Sequence, residues 1–565
     1  VEATQGMATD SEAQAHRPQL GLWDAVSIIV GIIIGAGIYE TPPRIFSGVS
    51  DPTLAYSIWA MCGILALIGA LCYAELATAY PRDGGDYVYL TRSYGPLVGY
   101  LFGWTQLAVI QTASIGLMAY IFADYGSRLF VLPLSPDPEA ARVFSNLCYA
   151  GSAIIGITLL NLAGVRTGKG VQNFLTLVKI VGLAAIVVAA FGFSHRRPDT
   201  LMLGTVIDIE PGKLHVYADQ GYGRYDEENE AEARDYVFTV DPKTRMQINF
   251  NSKDVKLDDF AKNKHVVVVY EREGSDSVAR LIRTIKKGTD VRDLMMVLVF
   301  VLLTYGGWND AAFVAAEVKD PNRNIPQALI IGTLGVMGIY LLINYAYVRA
   351  LGWEGVQHSD QIAADVLNLL PGGHGEPLMC ILVMISALGA IQGLTFTSSR
   401  VYSTLGGDYS LFSGLARINP RTDVPTLSLV IQMLISVTMV VGVSPIFEGQ
   451  SGVELLLDNL GMSRPESTGR SGFDRLLQCT APVFWAFFLM TALAVINLRI
   501  QDRDVPRPFK VPAFPILPLI FIAMCGYMLY SGSLYAGELG FVGWGLVLAG
   551  VPLYVLSRRT TTSVS

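Results

Sequence analysis

Apolar residues in this chain fall into twelve blocks, most of them roughly 20 residues long, separated by polar stretches. That is the length a helix needs to cross the hydrocarbon core of a bilayer. Runs such as AVSIIVGIIIGAGIY and VFWAFFLMTALAVIN are continuous rather than alternating. Backbone in lipid must satisfy its own hydrogen bonds, so such runs read as helices and not as barrel strands. The pattern predicts spans at 24–46, 54–80, 96–127, 143–163, 171–194, 291–317, 326–350, 376–405, 425–443, 475–498, 514–532 and 540–557.

One stretch breaks the pattern. From 200 to 288 the chain is polar, with short β-type runs: GTVIDIE, KLHVYAD, DYVFTVD, RMQINF, HVVVVYERE and VARLIRTIK. The turn signals EPGK, DPKT and EGSD separate them, which predicts a small all-β, barrel-like module of about six strands. The expected fold class is therefore an all-α membrane protein of about twelve transmembrane helices with an inserted all-β domain. Residues 1–20 read as a disordered cytoplasmic tail. Helices 1–5 fill 21–199, the module 200–288, and helices 6–10 fill 289–505. Helices 11–12 and a second cytoplasmic tail fill 506–565.

Composition agrees with lipid as the main solvent. Charged residues are 16% of the chain, against about 25% in an average soluble domain, and mean hydropathy is +0.42. The net charge of −7 is spread over loops and suggests no nucleic-acid partner. Basic residues favour one set of loops, with Arg82, Arg92, Arg166, Lys169, Lys319 and Arg323 among them. Lysine and arginine concentrate on the cytoplasmic side, so both termini are expected inside the plasma (inner) membrane and the module outside. No h-region precedes the first span, and no cleavable signal peptide is expected. The six cysteines sit in or beside apolar runs and read as packing residues. The histidines are scattered and no nucleophile motif or phosphate loop occurs in the membrane part, so neither enzyme, metal nor cofactor is expected.

Two spans contain glycine interruptions. The first holds VGIIIGAGIYETP, with Gly31, Gly35 and Gly37; the sixth holds LLTYGGWNDAAF, with Gly306 and Gly307. Glycine costs a helix interior about 1 kcal/mol against alanine. Gly31-x-x-x-Gly35 is also a close-packing pattern. A matched break at the start of two successive five-helix blocks points instead to a transporter's binding site, with Gly31 packing and Gly35–Gly37 unwound. Half-helix N-termini suit a carboxylate, and freed carbonyls suit an ammonium. Tyr305 and Trp308 are either substrate contacts or packing aromatics, and Asn309 is either a substrate contact or an interhelical hydrogen bond. Lys179 lies deep in the fifth span, where a central lysine costs about 2.5–3.5 kcal/mol and is functional or paired.

The motifs GIIIGAGIYETP, ALCYAELATAYPRDGGDYVYL and TYGGWNDAAFVAAEVKDPNRNIPQAL resemble those of the amino acid–polyamine–organocation superfamily, closest to its L-type amino acid transporters and their bacterial relatives. The resemblance implies a five-plus-five inverted-repeat core and two peripheral helices. It implies a substrate carboxylate against Gly35, Ala36 and Gly37, and an ammonium against carbonyls near Ile32, Ile33, Leu303 and Tyr305. Side chains of spans 3, 6, 8 and 10 would set specificity. Lys179 would stand where sodium-coupled relatives bind sodium, as the coupling residue of a proton symporter or exchanger. Glu75 and Glu317 match positions of the cytoplasmic gate.

Leu303 replaces the gating phenylalanine common in L-type relatives. The loop at 128–142 has no cysteine, so no disulfide-linked heavy chain is expected as a partner. The expected partners are an amino acid and the bilayer; the module reads as a passive insertion, a cover of the vestibule or a docking site for an extracytoplasmic partner, and long insertions at surface loops cost little. The alternatives are a transporter-like amino acid sensor and a polyamine carrier. The polyamine reading needs acidic residues facing the pocket, and none stands out in spans 1, 3, 6 or 8.

Overall fold

The computed structural model describes residues 20–558, apart from 50–51, 194–199, 219–234, 248–255, 258–259, 261–263, 274–275, 286–290, 360, 372–373 and 445–470. The tail at 1–19 lies outside the described residues. Twelve of the described helices are long and apolar enough to cross a membrane. They are Leu22–Glu40, Pro52–Ala79, Pro96–Leu129, Pro138–Leu162, Val165–Gly192, Val297–Glu317, Pro321–Trp353, Gly375–Asp408, Thr426–Val443, Arg475–Gln501, Ile516–Ala536 and Leu539–Ser557, hereafter spans 1 to 12.

Helix ends depart from the hydropathy windows where polar residues extend a helix beyond its apolar stretch. Span 5 begins at Val165, so its first turns contain Arg166 and Lys169. Span 3 contains a feature that hydropathy does not reveal, a π-helical turn at Gln106–Ile110. Spans 4, 5, 11 and 12 point Leu159, Phe174, Leu534 and Leu548 outward at 60–67% exposure. That much apolar surface on the perimeter is the face lipid covers. Cys148 of span 4 is also exposed, whereas the other five cysteines are buried packing residues.

The module between spans 5 and 6 is one small mixed sheet. Its strands are β1 Thr200–Glu210, β2 Lys213–Ala218, β3 Asp235–Gln247, β4 His265–Glu273 and β5 Asp276–Ile285. They are ordered β1-β2-β3-β5-β4, and β4 also pairs with β1; only β3–β5 is parallel. Met202, Val206, Leu214, Val216, Phe238 and Ile282 alternate onto the buried face. Among the described residues five strands stand where six were expected. DYVFTVD and the first three residues of RMQINF belong to one strand, β3, whose register against β5 shifts between Val240 and Arg245, so the DPKT signal bends the strand without ending it; the rest of RMQINF lies outside the described residues.

Candidate functional site

Both interrupted spans are broken within their length. Span 1 is helical over Leu22–Ile33 and again from Gly37, leaving Ile34–Ala36 irregular. Gly31 remains helical and lies against Gln172 and Thr176 of span 5. At the break, the Ile34 and Gly35 N–H groups donate to Val30 and Ile33 carbonyls, and the next backbone donor to be paired is Tyr39, to Ala36. Ala36 and Gly37 N–H thus have no backbone partner among the described residues. Span 6 is helical to Thr304, turns through Tyr305–Gly307 and continues as a 3-10 helix from Trp308 to Glu317. Gly307 has φ +107°, and a Cβ there would sit 2.5 Å from Ile32 Cγ2. Glycine is therefore required twice over: for the left-handed turn, and to let the two breaks touch.

A cavity of about 280 Å³ lies over the paired breaks. Ile32, Ile33 and Gly35–Gly37 line it from span 1, and Leu303, Gly306, Gly307, Trp308 and Asn309 from span 6. Spans 3, 8 and 10 supply further walls, including Gln111, Ala390 and Phe484. It extends along the later half of span 1 and the earlier half of span 6 to Arg44, which is exposed and lies 5.7 Å from the Phe300 ring centroid. Phe300, one turn before Leu303, supplies an aromatic side chain to the lining that Leu303 does not.

Tyr305 departs from its expected role. Its side chain turns away from the cavity, packs on Trp59 and Tyr340, and donates its hydroxyl to the Trp59 carbonyl at 3.2 Å. The turn that frees its backbone also rotates the ring toward span 2. Nor is every freed carbonyl open: Tyr340 OH donates to Ile33 O at 2.8 Å, and Ser386 Oγ donates to Ile34 O at 3.0 Å. Tyr340 and Ser386 were not legible as site residues, because each is a single polar group within an apolar helix.

Lys179 is fully buried and donates to the Gly31 and Ile34 carbonyls, at 2.6 and 2.8 Å. One acceptor lies in the last turn before the break and the other is the first irregular residue, so the ammonium stands in for helical N–H donors that the break removed. A Cβ at Gly389 of span 8 would lie 2.6–2.8 Å from Lys179 Cε and Nζ, so a glycine there makes room for the lysine.

The opposite ends of the same helices are tied together. Glu75, 1% exposed, receives Arg499 in a bidentate pair, Arg507 at 3.5 Å and the Val511 N–H at 2.7 Å. Glu317 pairs with Arg400 of span 8, both buried, and the backbone of Leu20 bonds to Glu317 and Lys319. Lys169 holds Asp24 at 2.6 Å, and Arg82 holds Asp408 at 2.9 Å. Charge bias in the sequence located these loops, but the buried partner Arg400 was missed because it lies inside span 8, eight residues before its end at Asp408.

The short helix Asp86–Tyr94 between spans 2 and 3 begins with a buried acid. Asp86 accepts the Tyr73 hydroxyl at 2.5 Å, and burial pushes its carboxyl up to about 7, against the opposing pull of Tyr73 and Thr491. A folded-state pKa above the ordinary carboxylate value favours the fold at low pH and loses that contribution as pH rises through about 7. Thermal stability measured in detergent is expected to fall by about 1 °C from pH 6 to pH 8.5 in the native chain relative to Asp86→Asn. Parallel pH profiles, offset by a constant, would refute this.

A polar side chain in the cavity also overturns a sequence expectation. Asp310 of span 6 lines it, and Glu40 lines it nearer Arg44, so acidic residues do face this pocket. Asp310 went unrecognised because, in a 3-10 stretch, the helical period no longer tells which face it occupies.

The architecture defines a multi-pass membrane protein whose central cavity lies over two broken helices. The amino acid permease family model matches residues 20–221 and 242–556, and the chain belongs to that family. It is 25% identical to the b(0,+)-type amino acid transporter 1 of Mus musculus, over 93% of this chain and 84% of that protein. It is 26% identical to the large neutral amino acids transporter small subunit 2 of Mus musculus, over 98% and 84%. With the Homo sapiens form of that protein the identity is also 26%, over 96% and 81%. Within the amino acid–polyamine–organocation superfamily, the similarity lies with the L-type branch.

Proposed function

We propose that this protein is a sodium-independent secondary transporter of amino acids, working by alternating access in the plasma membrane. The observation that carries the reading is the cavity that gathers the two helix breaks while the far ends of the same spans are tied by buried ion pairs. The names of the relatives support amino acids as the substrate class. The substrate carboxylate would take the Ala36 and Gly37 N–H groups, with the α-ammonium against carbonyls near Ile32, Leu303 and Tyr305. Spans 1–5 and 6–10 act as two related halves whose first helices are the broken ones, with spans 11 and 12 outside that core. Both termini are read as cytoplasmic and the β module as extracytoplasmic, which makes the tied ends the closed cytoplasmic gate, with Glu75 and Glu317 as its acids. Lys179 takes the place of a coupling cation, which supports proton symport or exchange without sodium.

The test is uptake of a radiolabelled amino acid mixture into proteoliposomes, with and without an inward proton gradient and with or without internal amino acid. Uptake independent of sodium is expected under one of the two driving conditions. Stimulation by the gradient would mean symport, and dependence on internal amino acid would mean exchange. Binding without uptake in either case would replace the transporter with a sensor.

A further inference from the structure

Part of the cavity wall is an acceptor-rich patch that backbone recognition does not use. Asp310, 3% exposed, receives Gln111 Nε2 and Asn309 Nδ2 on the same oxygen, Oδ1, each at 3.1 Å. It has no ion-pair partner among the described residues. Gln111 of span 3, 4% exposed, turns its amide nitrogen to that carboxylate, and its Oε1 is then buried with no hydrogen-bond partner. The flipped amide would instead set its oxygen against Asp310 Oδ1, so the carboxyl oxygen and the amide nitrogen fix this orientation together. Both residues line the cavity, and Ile110, Leu117 and Leu394 supply apolar wall in the same space.

A buried carboxylate without a counter-charge and a buried carbonyl without a donor are both costly. One ligand relieves both: a group that is cationic and offers several N–H donors. The methylene stem leading to such a group suits the aliphatic wall. We infer that this patch is a subsite for a substrate side chain ending in an ammonium or guanidinium, with Asp310 and Gln111 as its specificity-determining residues. The inference rests on the amino acid reading above and assigns the class within it: basic amino acids are preferred over neutral ones. A neutral side chain of the same length would leave Asp310 and Gln111 Oε1 unpaired, the situation in which a polar site discriminates most strongly.

The experiment compares uptake of L-arginine with L-citrulline, its neutral near-isostere, in proteoliposomes of the full chain. The native protein is expected to favour arginine by roughly 10-fold or more in kcat/KM. Asp310→Asn should lower arginine uptake by roughly 100-fold and leave citrulline within a few-fold of native. Gln111→Leu should shift the preference in the same direction by a smaller factor. Equal or better uptake of citrulline by the native protein would overturn the inference, and that comparison needs no variant to fold. Equal loss of both substrates in Asp310→Asn would also overturn it, making Asp310 part of the general transport cycle. Agmatine keeps the guanidinium and lacks the carboxylate. Agmatine uptake equal to that of arginine and lost in Asp310→Asn would uphold the subsite while refuting carboxylate capture at Gly35–Gly37.

Discussion

Lys179→Ala is expected to reduce amino acid uptake by roughly 100-fold or more, whichever driving condition applies. The ammonium makes two charge-assisted hydrogen bonds, to Gly31 O and Ile34 O, in a site with no exposure. Each is worth about 1.5–3 kcal/mol, and every 1.4 kcal/mol is about a factor of ten. The loss falls on carbonyls just before and at the start of the break, so the geometry of Gly35–Gly37 goes with it. Arginine is not a conservative replacement here, because Gly389 already lies against the lysine head group and leaves no room for a guanidinium. Proteoliposome uptake checks the prediction, with melting in detergent as the control for folding. Near-native uptake by a folded Lys179→Ala protein would reduce the lysine to a packing role.

Arg400→Met is expected to lower the melting temperature in detergent by roughly 3–4 °C, since stranding one member of a buried ion pair costs about 3–5 kcal/mol. Glu317 would be left buried near Asp83, whose carboxyl is itself pushed up to about 7 by burial and by Glu317. The Ala316 N–H that donates to Asp83 at 3.0 Å ties the 80–85 loop to span 6 at the same place. The double variant Glu317→Gln/Arg400→Met removes the stranded charge and is expected to recover at least half of the loss. A double variant no more stable than Arg400→Met would show that the arginine acts through packing on Phe396, 5.1 Å away, and not through its charge.

The predicted spans all correspond to helices because lipid leaves the backbone few choices: a continuous apolar run of that length is a helix. The breaks were legible for a related reason. Gly35, Gly37, Gly306 and Gly307 are weak helix formers at matched positions, and that mismatch shows in one dimension. The β module was legible as a change of period, but the join of two runs into β3 was not, because strand pairing, not the turn residues, decides where a strand ends.

The roles of single polar side chains divide differently. Lys179 stood out in the sequence because a charge in an apolar helix is conspicuous by its cost, and Glu75 because it matches a gate position of the family that the motifs resemble. Their partners did not: Gly31 O, Ile34 O, Arg499 and the Val511 N–H come from segments up to 436 residues away in the chain. Tyr305, read as a cavity residue, faces span 2, and Asp310, read as nothing, faces the cavity. Tyr305 lies in the turn that ends the α-helix and Asp310 in the 3-10 stretch beyond it, so neither side chain follows the helical period about the axis. Sequence alone thus determined the membrane class, the spans and the place of the breaks, since these follow from hydropathy and backbone preference. Only the tertiary structure decided which polar atoms meet across the cavity, because that depends on how broken helices rotate and pack against one another.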